Sequence, residues 1–365
     1  MKWPGLTKLD KYIIGKFLGT FIYSIVLITL IAVVFDLSEH IDDFFEHDAT
    51  FREVVFDFYL NFIPYFIILF SSMITFISVI YFTSKMAYNT EIIAILSSGV
   101  SFNRFLRPYM ISATLIAGFS FVVSNYILPP ANKIRIEFAE KYFHSRPVNY
   151  SNRNIHKQIS PGVFIYMESY SNTSNIGYKF SMEEFKNGKL KSKLISDYIR
   201  WDSTKSKWTI RNYYIREIHE LTETIKKGTS IDTSLSILPA DFNRREDVFF
   251  ETMDIGALNN FINKLEMQGA DNIDLYKVER DKRLAFPLST FILTLIGVTL
   301  SSRKIKGGIG MHIGIGLGFT FSYIFLIQFS SQFAISGALS PLLAAWLPNL
   351  LFTVIVIGLY KLAPK

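Results

Sequence analysis

The chain has 365 residues, of which 50% are hydrophobic and 19% are charged, and its mean hydropathy is +0.26. A soluble domain carries about 25% charged residues, so this chain is short of charge. Residues 307–360 are 54 consecutive residues without Asp, Glu, Lys or Arg. As a helix this run would be roughly 80 Å long, more than twice the ~30 Å hydrocarbon core of a bilayer. The composition excludes a soluble globular protein and predicts an integral membrane protein.

Uncharged runs predict six membrane spans in chain order, since one span needs about 20 apolar residues. The turn-forming cluster at residues 336–341 divides the last run into spans five and six. An even number of spans places both termini on the same side of the membrane. The runs that hold spans one to four are 17–35, 58–84, 108–132 and 284–302.

Charge in the short loops predicts the orientation of these spans. The loops on the side of the termini carry 12 basic and two acidic residues, whereas the 36–57 loop carries eight acidic residues and one basic one. By the positive-inside rule both termini are cytoplasmic. The net charge of +7 therefore reflects membrane topology and does not indicate nucleic-acid binding.

A short helix is predicted within the longest cytoplasmic loop, at about residues 88–100. Asn89 or Thr90 would be its N-cap, Glu91 lies in its first turn, and Gly99 could supply a left-handed C-cap. Such a helix could transmit force from a cytoplasmic ATPase, or it could lie on lipid headgroups. The chain has no phosphate-binding G-x-x-x-x-G-K-[ST] motif, so a partner would supply the energy for any transport.

Residues 130–283 form the one sizeable polar block, which the topology places outside the cytoplasm. Short segments rich in β-branched and aromatic residues predict strands there, and their regular spacing predicts a sandwich or jelly-roll. The predicted domains are spans one to three with the loop helix (1–132), a periplasmic all-β jelly-roll-like domain (133–265) and spans four to six (266–365). The predicted strands are 162–170, 178–185, 193–201 and 207–218.

The spans offer little chemistry, because they contain no acidic or basic residue near their middles. His312 is the titratable exception and is interpreted as an interfacial or helix-packing histidine. The chain has no Cys, and no catalytic or metal-binding motif is recognised. We predict a non-catalytic chain without metal or cofactor. Gly310, Gly314 and Gly318 recur every four residues and predict close packing against another span, within the chain or in a partner.

Several segments, taken in order, resemble the permease subunits of the lipopolysaccharide exporter, the LptF/LptG family, and are closer to the LptG type. The resemblance covers nearly the whole chain. It lies in LDKYI (9–13), TEIIAILSSGVS (90–101), the segment that re-enters the membrane (262–297), GIGMHIGIGLGFTFSYIF (308–325) and LPNLLF (347–352).

The resemblance implies an ABC transporter in the Gram-negative inner membrane. Two related permeases would enclose a cavity bounded by spans one and five of each. An LptB-like ATPase dimer, which holds the ATP and Mg, would engage the loop helices. Lipopolysaccharide would leave the outer leaflet of the inner membrane and pass through the jelly-roll to an LptC/LptA-like bridge. The residues implied are Glu91, Ile92, Ile95, Leu96 and Gly99 for ATPase coupling, and Gly310, Gly314 and Gly318 for the permease interface.

Lipopolysaccharide phosphates call for basic side chains at the outer mouth of the cavity. The candidates are Lys133, Arg135, Lys282 and Arg283. Enteric LptG-type members place lysines where the first span leaves the membrane, whereas residues 38–43 of this chain are acidic. Either the partner permease supplies the cations, or the acids bind substrate through a divalent metal, or the head group differs. The choice between the F-type and the G-type stays open.

Two other interpretations remain at this stage. A lipoprotein-release or FtsX-like permease typically has four spans with its external domain between the first two, unlike the six predicted here. A membrane receptor or scaffold would use the periplasmic domain for sensing and would need a partner for its cytoplasmic output.

Overall fold

The computed structural model describes residues 6–143, 152–219, 222–239, 242, 250–268, 273–303 and 308–362. The chain divides into two compact units. The membrane unit comprises residues 1–143, 251–255 and 274–365, and the β unit comprises residues 144–250 and 256–273. Four of the basic residues used to predict the orientation, Lys2, Lys304, Lys306 and Lys365, lie outside the described residues.

Six helical segments of the described chain are long and apolar enough to cross a membrane, which confirms the six predicted spans. Span two begins with a π-helical turn, Glu53–Tyr59, and span three contains another, Val123–Ile127. The helices of the spans are α1 (Lys8–Glu46), α2 (Leu60–Tyr88), α4 (Phe102–Val122) with α5 (Leu128–Tyr142), α7 (Ile273–Ser301), α8 (Gly308–Ile335) and α9 (Pro341–Leu362). The short helix α3 (Glu91–Ser97) joins spans two and three.

Local sequence explains where several helices begin and bend. The side chains of Thr7 and Asp10 form a capping box at the start of α1, and the Ser101 side chain caps α4. Proline has no N–H and its ring crowds the carbonyl four residues earlier. Pro129 and Pro130 therefore fall directly after the π-helical turn of span three, where the α-helical hydrogen-bond pattern is already interrupted. The helix then continues to Tyr142, beyond the predicted domain boundary at residue 132.

The core of the membrane unit forms where α1, α2, α4 and α7 meet. Along α1 the buried side chains recur every four residues, so a single stripe of this helix packs inward. A second cluster joins α2, α7, α8 and α9 around Phe76, Leu293, Tyr323 and Phe352. The buried stripe of α1 consists of Ile13, Phe17, Phe21 and Ile25.

The β unit contains one six-stranded antiparallel sheet in the order β1-β2-β3-β4-β5-β6. The four predicted strands correspond to β2–β5. Their consecutive order makes this sheet a meander, whereas a jelly-roll is built from Greek-key crossovers. The separate β-rich domain is confirmed. The strands are β1 (Asn152–Ser160), β2 (Val163–Ser171), β3 (Ile176–Lys186), β4 (Lys189–Asp202), β5 (Lys207–Ile218) and β6 (Glu223–Thr233).

One face of this sheet carries the core of the β unit. Trp208 is fully buried, and its indole N–H donates to the Ile237 carbonyl at 2.9 Å. Tyr170 and Phe242 stack against each other beside it, with ring centroids 4.6 Å apart. The unit also contains helix α6 (Ile255–Gln268), within which the predicted boundary at residue 265 falls.

Candidate functional site

The loop helix α3 lies inside the predicted range and ends as predicted. Gly99 has a φ of +87°, the left-handed conformation that terminates helices. The start differs from the prediction. Thr90 is itself left-handed, with φ +63°, and its hydroxyl donates to the Asn89 carbonyl, so neither side chain caps the helix. A left-handed threonine is uncommon, and here it makes the sharp turn between α2 and α3.

Helix α3 has one anchored face and one exposed face. Ile92 is 1% exposed within the core of the membrane unit, and Ile95 and Leu96 pack against the same cluster. Ile93, in contrast, is 55% exposed. The anchored face fixes the helix to the membrane unit, which leaves the opposite face, ending at the exposed Gly99, for a partner. Ile92 is therefore a packing residue rather than a surface contact.

The Glu91 carboxylate connects α3 to the start of α1. The Tyr12 hydroxyl donates to its Oε2 at 3.1 Å, and the Asn89 amide donates to its Oε1 at 3.2 Å. Because Tyr12 lies 79 positions earlier in the sequence, this contact ties the loop helix to the first span.

A second contact between the start of α1 and the same loop was not predicted. The two guanidinium Nη atoms of Arg104 donate to the two carboxylate oxygens of Asp10, each at 2.6 Å. Nη2 also donates to the Thr7 hydroxyl at 3.2 Å. Asp10 is fully buried, whereas the Arg104 side chain keeps 30% exposure. Bidentate pairs of this kind are short and directional, so the first turn of α1 is held against the first turn of α4.

The four basic candidates for substrate binding separate into two environments. Lys133 is exposed. Arg135 contacts Glu251, with Nη2 3.6 Å from Oε2, and its guanidinium lies 4.6 Å from the centre of the Tyr65 ring. Lys282 and Arg283 line a cavity that Glu251 also lines. The structure therefore brings three of the four candidates to one place and leaves Lys133 apart.

This cavity has a volume of about 160 Å³ and lies within the membrane unit, between α2, the α4–α5 segment and α7. Its charged lining is Glu251, Glu279, Lys282 and Arg283. Arg283 is 6% exposed, and its Nη1 donates to the Met253 carbonyl at 2.7 Å. A guanidinium this deeply buried needs such a partner, so Arg283 also fastens the 251–255 segment to α7.

The predicted glycine face of α8 is uncovered by the rest of the chain. A methyl group placed on Gly310, Gly314 or Gly318 would meet no atom within 4 Å. Gly316 on the opposite side makes the close contact, because a Cβ there would lie 2.3 Å from Cδ1 of Ile80. Of the two packing options predicted for the three glycines, contact within the chain is not observed among the described residues.

Spans one and five are the least covered of the six. In each, 22% of the most apolar stretch is buried, compared with 61% in span four. Long apolar helix faces without a protein neighbour contact either lipid or another subunit. The glycine face therefore lies on one of the two spans whose apolar stretch is least buried within the chain.

Neither His312 nor the acidic 36–57 loop forms part of a metal-binding cluster among the described residues. His312 is buried, and its Nε2 lies 3.0 Å from the Arg303 carbonyl oxygen. Among the residues that the structure describes, no three His, Asp or Glu side chains are placed to share a metal ion.

A comparison with protein families matches nearly the whole chain. Residues 11–362 match the family described as "Lipopolysaccharide export system permease LptF/LptG". No curated protein matches the chain. The matched range includes span one from Lys11 onward, spans two to six and the whole β unit.

Proposed function

Because the chain belongs to the LptF/LptG family of lipopolysaccharide export system permeases, we propose that it is one permease subunit of an ABC transporter. This transporter would extract lipopolysaccharide from the inner membrane and pass it to a periplasmic bridge. The observation that carries the proposal is the extent of the family match, which extends from residue 11 to residue 362. Six spans and an inserted β domain fit the exporter better than the four-span lipoprotein-release or FtsX-like permeases or a receptor.

The subunit would be non-catalytic, and an LptB-like ATPase dimer would supply ATP hydrolysis, with ATP and Mg bound to that partner. The two-faced helix α3 supports this part of the proposal. Ile92 anchors the helix, and its opposite face is open to solvent. Glu91 lies at the beginning of α3, where a carboxylate could accept a hydrogen bond from the ATPase in addition to the one from Tyr12.

A second LptF/LptG-type permease would cover the exposed faces of α1 and α8. Three observations support this: the two spans are the least buried, Gly310, Gly314 and Gly318 meet no neighbour, and small residues allow close helix contact. The cavity for lipopolysaccharide would then lie between the two subunits, beside these helices.

The proposed orientation places both termini in the cytoplasm and the β unit in the periplasm, where an LptC/LptA-like bridge would receive the lipid. The loop charges support this orientation, with basic residues on the side of the termini and acidic ones at 36–57. Among the basic candidates, exposed Lys133 has the side chain best placed to meet a lipid phosphate, because Arg135 and Arg283 already have protein partners.

The test is a mild-detergent pull-down of the tagged chain from native membranes, with mass spectrometry of the proteins and lipids that co-elute. The expected result is a soluble ABC ATPase, a second six-span permease and bound lipopolysaccharide. The same preparation should be checked with an unrelated ABC transporter. If that complex survives while this chain elutes alone, the proposal is wrong.

A further inference from the structure

The cavity of the membrane unit runs from the central part of spans two and three toward the charged start of span four. Its floor includes Ser71 and Ser120, whose hydroxyl oxygens are 3.0 Å apart. These serines are the central residues of the uncharged runs 58–84 and 108–132. Its rim includes Arg283, the last charged residue before the uncharged run of span four. Beside this floor Ser72 contacts Ser289, which lies six residues from Arg283 along α7, so floor and rim are about 9 Å apart along the helix.

The wall between floor and rim is apolar and is partly open to the side. Ile68, Leu69, Leu128 and Phe286 line it, and Leu69 is 52% exposed, so the mouth reaches the lipid-facing surface of α2. An apolar cavity of about 150 Å³ holds a molecule the size of benzene. The volume of about 160 Å³ found here therefore accepts roughly six carbons of an acyl chain, while the rest of such a lipid stays in the bilayer.

The rim carries two basic and two acidic side chains. Lys282 and Arg283 are the basic lining residues, and Glu251 and Glu279 are the acidic ones. Glu251 already has protein partners, because the Asn132 amide donates to its Oε2 at 3.3 Å and Arg135 lies 3.6 Å from the same atom. A purely anionic headgroup would sit beside two carboxylates, which is unfavourable. A headgroup with a phosphate and an ammonium group would find a counterion for each.

We propose that this cavity binds one zwitterionic phospholipid of the phosphatidylethanolamine class. Lys282 contacts its phosphate, Glu279 contacts its ammonium group, and the first carbons of one acyl chain occupy the apolar wall. The site is separate from the surface proposed for the second permease, since no lining residue belongs to α1 or α8. It requires only that the chain lies in a membrane and does not rest on the proposed transport function.

The test uses a photo-crosslinker, benzoylphenylalanine, at Leu69 of the full chain with its co-purifying subunits. The protein is placed in nanodiscs of equal parts phosphatidylethanolamine and phosphatidylglycerol, and the attached lipid is identified by mass spectrometry. The expected enrichment of phosphatidylethanolamine is about threefold, the size that one partly exposed ion pair gives. The control position is Leu115, which is 54% exposed on α4 and does not line the cavity. Equal labelling by both lipids at Leu69 would overturn the proposal.

One variant removes a charge at the headgroup end of the site, and another fills the cavity that would hold the acyl chain. Glu279→Gln removes an ammonium partner and is expected to bring the lipid ratio at Leu69 to about unity, whereas Glu266→Gln, at an exposed glutamate of α6, leaves it unchanged. Ser124→Phe fills the cavity and should remove one retained phosphatidylethanolamine in native mass spectrometry. Thr114→Phe, at an exposed position of the same span, should not.

Two outcomes of these experiments count against the proposal. If Ser124→Phe folds and retains the lipid, the cavity does not hold it. If Ser124→Phe does not fold, Leu69→Trp narrows the mouth from an exposed position and carries the same expectation. In nanodiscs that also contain lipopolysaccharide, preferred labelling of lipopolysaccharide from Leu69 would make the cavity part of the substrate path and overturn the phospholipid assignment.

Discussion

Asp10 and Glu91 are the two acidic residues among 12 basic ones in the loops that are predicted to be cytoplasmic. Each of these carboxylates contacts a different segment of the chain, Asp10 through Arg104 and Glu91 through Tyr12. The two contacts flank α3 in the sequence. Glu91 is the first residue of this helix, and Arg104 lies in the helix that follows it. The scarcity of acids was the one signal in the sequence that could have identified Asp10. Its partner could not be chosen among so many basic residues without the fold.

Removing the charge of Asp10 tests the buried pair. We expect Asp10→Asn to lower the free energy of unfolding by about 2–3 kcal/mol, less than the 3–5 kcal/mol of a fully buried pair, because water still reaches part of Arg104. Thermal unfolding in detergent measures the loss, and Asp42→Asn, at an exposed position of the same helix, should have no effect. A double-mutant cycle with Arg104→Gln should show positive coupling. Additive effects would mean that the two residues act separately.

The proposed role of Glu91 can be separated from its contact with Tyr12. We expect Glu91→Lys to reduce ATP-driven lipopolysaccharide extraction at least about tenfold while membrane insertion is unchanged, since a lysine cannot accept the hydrogen bond proposed from the ATPase. Tyr12→Phe removes only the hydrogen bond within the chain and should reduce extraction less than about threefold. Extraction assays with proteoliposomes measure both variants. Equal losses would show that Glu91 serves the fold rather than the ATPase.

Among the elements, those with a strong apolar signal were predictable and those without one were not. The six spans and strands β2–β5 were predicted from uncharged runs and from β-branched and aromatic residues. Strand β6 was missed because its sequence, ETIKKGTSIDT, is polar, and its place in the sheet comes from pairing with β5 along its whole length. Strand β1 is similarly polar at its start. Tertiary pairing decides such edge strands, and propensity contributes little.

Two glycines of α8 provide a matched test of its two faces. We expect Gly316→Val to destabilise the isolated chain by about 1–3 kcal/mol, because its side chain would overlap Ile80. At Gly314 the Cβ of a valine would lie within 4 Å of no described neighbour, so Gly314→Val should change the thermal unfolding of the isolated subunit far less.

The same pair reports on assembly through size-exclusion chromatography of the co-expressed complex. Gly314→Val should weaken association with the second permease, since it fills the small-residue face that the partner approaches. Normal assembly of Gly314→Val would mean that the partner does not use this face.

At the scale of the whole molecule, the sequence predicted the order of the spans and the β domain. It did not predict which of the basic candidates lie close together. Arg135 and Glu251 are separated by the entire sheet in sequence, yet they form one ion pair within the membrane unit. The prediction assigned Lys133 and Arg135 the same role because they are neighbours in the chain. On helix α5, however, residues two positions apart point in different directions, and only Arg135 points toward Glu251.

The existence of two units predicts separable unfolding. Two of the four tryptophans, Trp201 and Trp208, lie in the β unit, and Trp346 lies in α9, so tryptophan fluorescence reports on both units and should show both transitions. We expect Trp208→Phe to lower the stability of the β unit by about 2–3 kcal/mol, through the lost bond to Ile237 and the smaller ring. Binding of the second permease to the membrane unit should be unaffected. A single transition, equally shifted for both units, would contradict this separation.

The predicted orientation can be tested at the turn between β3 and β4. Asn187 and Gly188 both have positive φ, as a tight hairpin turn requires, and both are exposed. A phosphatase reporter inserted there should be active, because the enzyme folds only outside the cytoplasm. A fluorescent protein that matures only in the cytoplasm should stay dark at the same position. The reverse pattern would invert the orientation of the whole chain.

Helix α1 is continuous over 39 residues, or about 58 Å, nearly twice the thickness of the hydrocarbon core. Asp10 and Tyr12 hold it close to one end, and beyond Ile25 only Phe44 is buried. At the other end Phe44 packs against Phe58 and Phe138, so this continuous helix connects two packed regions. A tilt of about 5° at Asp10 would displace the far end by about 5 Å, close to the pitch of one helical turn. A small angular change beside α3 therefore becomes a movement of several ångströms on the opposite side of the membrane.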